Sequence, residues 1–549
     1  MALDAVVVIP ARDEEARIGD CLRALAAQTV GLDRFETIIV LDACHDRTSA
    51  VATRVAEELG LRITTLPGSG AGAGAARRIG MHAACERLLR SGRPDGLIAG
   101  TDADSRPAHD WLERQLAHVA SGAEAIAGLI ELDHDEARRL PPGVMSRRAR
   151  DAETRLRSVR DLDHCAGHHH AAGASLAVTA AAYRRVGGIE PLPALEDAEF
   201  AERLARHGIP LLRPVDVRVC TSARPDGRVA RGLSVDLAVA TWLERRRYRA
   251  ADFSVQRLRA IKGATTITVI VPAKECAQTV PGVLRETAGP LVNAGLVDEL
   301  VVVDAGSADG TARAAARCGA RVFQQDQIAS ELGPAQGKGD AMWRALQQTG
   351  GDIVCFLDAD TVDPRVEHLL GLIGPVLTDD AVTLVKGAFE RPLSTGGVTV
   401  PDEGGRVTEL MARPLLNMYE PQLAGFAQPL AGEIAARREL LEALPFPVGY
   451  GVEVAMLIDS LRACGLDALA ECDLGSRQNR HQPLRTLGEM AYAVLAAVEN
   501  RRPGGSAALA GGRYLRPWQD AALVSVPVAE RPPIRAGGIS KLKRRRQAA

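Results

Sequence analysis

The chain has 549 residues, 46% of them hydrophobic and 25% charged, with a formal net charge of −2. That length exceeds one ordinary core and predicts two domains of a globular protein, while the near-neutral charge gives no case for bulk nucleic-acid binding. The opening MALDAVVVIPARDEE lacks the basic start and long apolar core of a signal peptide, and no run approaches the roughly 18 apolar residues of a membrane span. Ten scattered cysteines without a C-x-x-C pair predict reduced thiols in the cytoplasm.

Ala5 to Ile9 (AVVVI) reads as a first strand, followed by Pro10-Ala11-Arg12-Asp13-Glu14-Glu15 as loop and helix start. Ala16 to Ala27 reads as a helix and Thr37 to Leu41 as a second strand ending in Asp42. Leu97 to Ala99 begins a strand that leads to Thr101-Asp102-Ala103-Asp104. The order then returns. Ile267 to Val271 precedes Pro272-Ala273-Lys274-Glu275, Leu300 to Val303 precedes Asp304, and Ile353 to Leu357 precedes Asp358-Ala359-Asp360. Pro10 to Asp42 and Pro272 to Asp304 are both 32 residues, and both halves carry D-A-D. This predicts an internal duplication of one α/β domain, with a mostly parallel sheet covered on both faces and ligands beyond the carboxyl ends of its strands.

The expected domains are 1–223, a basic helical connector at 224–264, a second domain at 265–500 and an extension at 501–549. Glu244-Arg245-Arg246-Arg247-Tyr248-Arg249 in the connector reads as a solvated helix face, and the tail Lys541 to Arg546 (KLKRRR) as disordered. The stretch Gly351 to Pro364 (GDIVCFLDADTVDP) carries the chemistry most directly. Residues two apart in extended backbone point the same way, so Asp358 and Asp360 converge at a strand end. Paired carboxylates there suit a hard divalent ion, Mg²⁺ or Mn²⁺, held against a diphosphate. A solvated acidic turn is the plain alternative.

Together the strand–Pro–acid, strand–Asp and D-x-D series resembles nucleotide-sugar glycosyltransferases of the GT-A fold, in two tandem copies. The second half, about Thr265 to Val498, is similar to the glucosyl-3-phosphoglycerate synthase family. The shared stretches are Gly337 to Trp343 (GKGDAMW), Gly404 to Leu410 (GGRVTEL), Pro429 to Glu433 (PLAGE), Gly449 to Glu453 (GYGVE) and Asp473 to Arg477 (DLGSR). The resemblance implies transfer of glucose from UDP-glucose, or another NDP-glucose, to 3-phosphoglycerate with retention. It implies donor contacts from Pro272, Glu275, Asp304, Lys338 and Asp358, and acceptor contacts from Gly405, Arg406, Thr408 and His481. Asp360 and Asn479 would serve the metal, and Glu453 and Asp358 the chemistry at the donor sugar. The types agree with these roles, since a metal and a lysine stabilise a diphosphate leaving group and a guanidinium forks onto an oxyanion. Three positions depart from the family pattern: Cys276 replaces an acid, Ala305 a serine, and Asn479 a metal-binding histidine.

The first half, about Val6 to Cys220, resembles family 2 inverting glycosyltransferases through Asp13, Asp42, the D-A-D, Gly173 to Val178 (GASLAV), Gly187-Gly188-Ile189 and Leu195-Glu196-Asp197. The resemblance implies donor contacts from Pro10, Asp13, Asp42 and Asp102, a metal at Asp104, and a catalytic base at Asp197. The alternative for Asp197 is an N-cap of a helix Ala198 to His207. His168-His169-His170 reads as a loop near the acceptor side, not a metal site, because consecutive histidines do not converge on one ion. The expected partners are a nucleotide sugar and a small phosphorylated acid, with a homodimer left open. Rival readings are an altered donor or acceptor, and one half acting as a non-catalytic binding module. A nucleotidyltransferase would open with a glycine-rich loop after its first strand, which Pro272-Ala273-Lys274 lacks.

Overall fold

The structure is a computed structural model that describes residues 3–227, 231–395, 398–400, 404–477, 483–505, 511–519 and 521–535. It divides into two compact units, Met1–Thr241 and Trp242–Ala549. No helix among the described residues is long and apolar enough to cross a membrane.

In the first unit the strands Ile63–Pro67, Phe35–Leu41, Ala5–Ala11, Leu97–Gly100, Leu176–Thr179, Ala125–Ala127 and Leu211–Leu212 lie side by side in that order. In the second unit Arg321–Gln324, Glu299–Asp304, Ile267–Ala273, Ile353–Phe356, Ile434–Arg437, Leu384–Glu390 and Leu469–Ser476 take the same places, and Arg247–Arg249 adds an eighth strand at the edge. The directions match as well. In each sheet the first four strands are parallel, and only the fifth, Leu176–Thr179 or Ile434–Arg437, runs antiparallel to both its neighbours. The expected sheet is thus mostly parallel with one reversed strand at its centre.

The unbroken apolar run of Ala5–Ala11 follows from burial on both faces. Ala5, Val7 and Ile9 enter one core cluster, with the helix Ile18–Ala26, while Val6 and Val8 enter another, with the helix Ala73–Arg90. Each such valine contributes roughly 1.5–3 kcal/mol by leaving water, so the strand's position in the sheet is heavily determined. In the second unit Ile267, Val269 and Val271 pack in one cluster with Leu369, Leu372 and Ile373 of the helix Val366–Thr378.

The stretch expected as a helical connector contains the helix Leu233–Arg245, the strand Arg247–Arg249 and the helix Val255–Lys262. Arg245, Arg247 and Arg249 are exposed as expected, but Arg246 is buried and engaged. Arg246 pairs with Asp379 at 2.5 Å and Asp467 at 2.9 Å, and Arg247–Arg249 pairs in parallel with Leu469–Ser476. The extension after residue 500 also returns to the second unit. Arg513–Arg516 and Ala522–Ser525 form a hairpin, Glu530–Arg531 pairs with Phe446–Pro447, and Arg531 meets Asp340 at 2.8 Å. The tail from Lys541 to Arg546 lies outside the described residues.

Candidate active sites

The two units build their strand-end loops with the same hydrogen bonds. Asp13 and Glu275 both adopt positive φ, 51° and 53°. Each carboxylate reaches across to the loop after the second strand. The Asp13 carboxylate accepts from His45 N–H at 2.6 Å, and that of Glu275 from Ala308 N–H at 2.8 Å. Glu14 N–H donates to Thr48 Oγ1 at 2.7 Å, and Cys276 N–H to Thr311 Oγ1 at 2.8 Å. Glu15 N–H and Ala277 N–H each donate at 2.9 Å to Asp46 and Asp309, which in turn cap the threonines. Asp13 and Glu275 therefore tie loop to loop. The His45 bond holds the Asp13 carboxyl below its ordinary value. Asp13, Cys44 and Asp46 bring ligand-type atoms within 4.8 Å of one another, but both carboxylates are already engaged in this latch.

In the second unit the strand ends open on a cleft of about 1120 Å³. Its wall includes Pro272, Glu275, Lys338, Asp358, Asp360 and Glu453. Lys338 opens the helix Lys338–Leu346, and its Nζ lies 2.5 Å from Asp358 Oδ1 and 2.8 Å from Glu453 Oε1. Burial alone would lower the lysine's pKa, but Asp358 and then Glu453 outweigh it and hold the ammonium well above its ordinary value. Burial would likewise raise the Asp358 carboxyl, yet Lys338 and Arg477 keep it below the usual carboxylate range. Glycine is required beside this cluster. A Cβ on Gly432 would stand 2.2 Å from Asp358 Oδ1 and 2.3 Å from Lys338 Nζ.

Asp304 is 1% exposed, and its Oδ2 accepts from Ser307 N–H at 3.2 Å. Its Oδ1 is buried without a hydrogen-bond partner among the described residues. Cys276 and Ala305 line the same cleft, and burial pushes the Cys276 thiol up. Asp358 and Asp360 both line the cleft and offer the carboxylate oxygens that suit Mg²⁺ or Mn²⁺, with Asp358 Oδ1 shared with Lys338. Asn479 and His481 lie outside the described residues.

Gly405 takes φ +69°, and Arg406, Val407 and Thr408 after it line the cleft. Two further arginines line it, Arg391 and Arg477, which sequence reasoning did not assign to the site. Burial lowers the Arg391 pKa, and its Nε has no partner among the described residues. Arg477 pairs with buried Glu433 and donates to Thr361 Oγ1. Burial pushes the Glu433 carboxyl up, with Arg477 opposing. Beneath them Lys386 is 1% exposed, donates to the Ala431 carbonyl, and is lowered by burial to about 8. Neither it nor Glu433 carries a sequence signal beyond membership of an apolar strand and the PLAGE stretch.

In the first unit the expected donor residues are held differently. Pro10 lies within the strand Ala5–Ala11, in register with Val40. Both Asp42 oxygens are taken, Oδ1 by Gly70 N–H at 2.7 Å and Oδ2 by Gly72 N–H at 3.0 Å. Asp102 meets Arg77 Nη2 at 2.8 Å, and Arg77 also meets Glu196 at 3.1 Å and donates to the Gly173 carbonyl at 3.0 Å. Asp104 meets Arg224 at 3.0 Å, and burial followed by the Asp102 charge raises its carboxyl to about 6. Asp102 and Asp104 thus each face a guanidinium, while Asp42 is held by backbone N–H groups.

Asp197 does not cap a helix starting at Ala198. The helix is Glu196–Arg206, entered through Leu195 at φ +61°, so Asp197 stands in its first turn. Its Oδ2 accepts from Gly173 N–H at 2.9 Å and its Oδ1 from Ala198 N–H at 2.8 Å. The histidine run serves the interior. His168 Nδ1 accepts from His170 N–H, and His170 Nδ1 from Ile130 N–H, each at 3.1 Å. Burial lowers these two rings to about 4 and about 3, so both are neutral.

Residues 6–179 and 268–399 match the model of Glycosyl transferase family 2. The glucosyl-3-phosphoglycerate synthase of Mycolicibacterium paratuberculosis is 45% identical over 264 residues, 48% of this chain and 80% of that protein. Among solved structures, mannosyl-3-phosphoglycerate synthase from Rubrobacter xylanophilus is 42% identical, with 54% of this chain and 97% of that one covered and a TM-score of 0.49. Glucosyl-3-phosphoglycerate synthase from Mycobacterium tuberculosis, solved with Mn²⁺, UDP-glucose and phosphoglyceric acid, is 41% identical, with 51% and 94% covered and a TM-score of 0.47.

Proposed function

The chain belongs to glycosyl transferase family 2 and is a glycosyltransferase with two tandem α/β domains of the GT-A fold, and from that premise we propose that the second unit transfers glucose from UDP-glucose to 3-phosphoglycerate with retention. The observation that carries the reading is one cleft holding the Lys338–Asp358–Glu453 cluster and three arginines, Arg391, Arg406 and Arg477. A sugar nucleotide needs the first, and a small acid bearing phosphate and carboxylate needs the second.

Asp304 Oδ1 accepts an N–H of the base. Lys338, kept charged by its two carboxylates, offers an ammonium to the diphosphate as charge develops there. Asp358 and Asp360 would hold a divalent cation, which would supply further neutralisation of the leaving group. Glu453 is held by Lys338 on the cleft wall, beside the donor sugar. Arg406 forks onto the acceptor phosphate, Thr408 and the backbone around Gly405 complete its cradle, and Arg391 stands ready for a second anionic group. The first unit is a second transferase domain whose base is Asp197.

The test incubates the full chain with UDP-glucose and 3-phosphoglycerate and reads the product by mass spectrometry and NMR. An α-linked glucosyl-3-phosphoglycerate that disappears in Asp360→Ala is the expected result. Efficient use of another donor, with UDP-glucose ignored, sinks the donor assignment, and equal use of glycerate sinks the acceptor assignment.

A further inference from the structure

We propose that the first unit holds no divalent cation at its D-A-D, the guanidinium of Arg224 standing at Asp104 in its place. Arg224 Nη2 lies 3.0 Å from Asp104 Oδ2 and 2.5 Å from Glu14 Oε1, and its Nη1 donates to Glu14 Oε2 at 3.1 Å. One guanidinium thus forks onto one carboxylate and bridges to a second. All three side chains are largely buried, at 18%, 19% and 9% exposure for Arg224, Asp104 and Glu14.

The arginine is presented by a tied loop. It follows the strand Arg218–Thr221; Ser222 Oγ and Ala223 N–H both donate at 2.7 Å to Glu136 Oε2, and Arg224 N–H donates to Ser222 Oγ at 3.2 Å. Glu136 is itself held by Arg17 at 2.6 Å. The other acid of the motif is taken as firmly, by Arg77, whose side chain is 4% exposed. A divalent ion binds through free carboxylate oxygens. Here it would have to displace a positive group from two partly buried acids and then remain beside it.

The second unit differs at one position that matters. The hydrogen bonds of the loop latch align Glu14 with Cys276, since both backbone N–H groups donate to the capping threonine. Cys276 offers no carboxylate and cannot hold a guanidinium as Glu14 does. Where a diphosphate leaves in the first unit, a fixed planar guanidinium supplies the positive charge that a cation would otherwise bring. That last step rests on reading the unit as a transferase; the exclusion of the cation does not.

Mn²⁺ binding to the full chain, followed by electron paramagnetic resonance, tests this without reference to turnover. We expect one tight Mn²⁺ per chain, lost in Asp360→Ala and kept in Asp104→Ala. Arg224→Ala, which takes the guanidinium away from Glu14 and Asp104, should bind a second, while Arg224→Lys should not. Loss of Mn²⁺ on Asp104→Ala, or its retention in Asp360→Ala, overturns the proposal. A wild-type chain that binds none overturns the cation of the second unit and leaves this inference standing. Failure of a folded Arg224→Ala chain to gain a second ion overturns the part given to Arg224.

Discussion

Gly432 faces Lys338 so closely that a Cβ on the glycine would stand 2.3 Å from the lysine Nζ. The neighbours are the flexible ends of Lys338 and Asp358, so Gly432→Ala moves the cluster instead of unfolding the domain. Displacing a positioned group by about 1 Å can cost on the order of 100-fold in rate. We expect a fall of that size in kcat with a near-normal melting temperature. Wild-type kcat in this variant would show that the geometry of the cluster is not what the reaction uses.

Lys338→Met leaves Asp358 and Glu453, 17% and 5% exposed, without the cation between them. Removing one partner of a buried ion pair costs about 3–5 kcal/mol. Urea denaturation should show a loss of that order, together with loss of transfer. An unchanged midpoint would mean that water, not Lys338, satisfies the two acids.

Arg406→Lys keeps the charge at the acceptor end and loses the fork. KM for 3-phosphoglycerate should rise more than KM for the donor. In the wild type, glycerate should be poorer than 3-phosphoglycerate by about 2–4 kcal/mol in kcat/KM, the cost of leaving a charge-assisted pair unmade. A donor KM that rises as much as the acceptor KM would move Arg406 to the nucleotide side.

Chelation should abolish transfer to 3-phosphoglycerate, and added Mg²⁺ or Mn²⁺ should restore it, because Asp358 and Asp360 lie together on the cleft wall. Full turnover by metal-free protein in excess chelator would remove the cation from the second unit.

His168 predicts acid sensitivity of the first unit. Burial lowers its folded pKa to about 4, from the 6.5 of an ordinary imidazole. A depressed folded pKa means that the unfolded chain takes up the proton first. The stability this ring contributes is present above pH 6.5 and is lost as pH falls toward 4. The loss amounts to about 3 kcal/mol. His168→Asn, which keeps an acceptor for His170 N–H, should flatten that slope. Parallel stability curves for wild type and variant between these limits would show that the ring charges without penalty.

The strands, the duplication and the acids at strand ends were legible in the sequence, because each rests on local pattern. A valine run buried on two faces, a proline and aspartate at equal spacing, and D-A-D at the end of an apolar run all lie within a few residues of one another. The state of those acids was decided only by the tertiary structure. Arg224 meets Glu14 across 210 residues, and whether Asp42 is free depends on where Gly70 and Gly72 fold back onto it. Arg391 and Lys386 carry no motif at all, since nothing in an apolar strand and its following loop marks which cation will be buried beside a cleft. Nor could local propensity place the helix of Asp197, which starts earlier than expected through a left-handed Leu195. Two units with one chain order and one sheet thus present their D-A-D acids differently. Charge pairing depends on distances in space, and those are set by packing that no short stretch of sequence encodes.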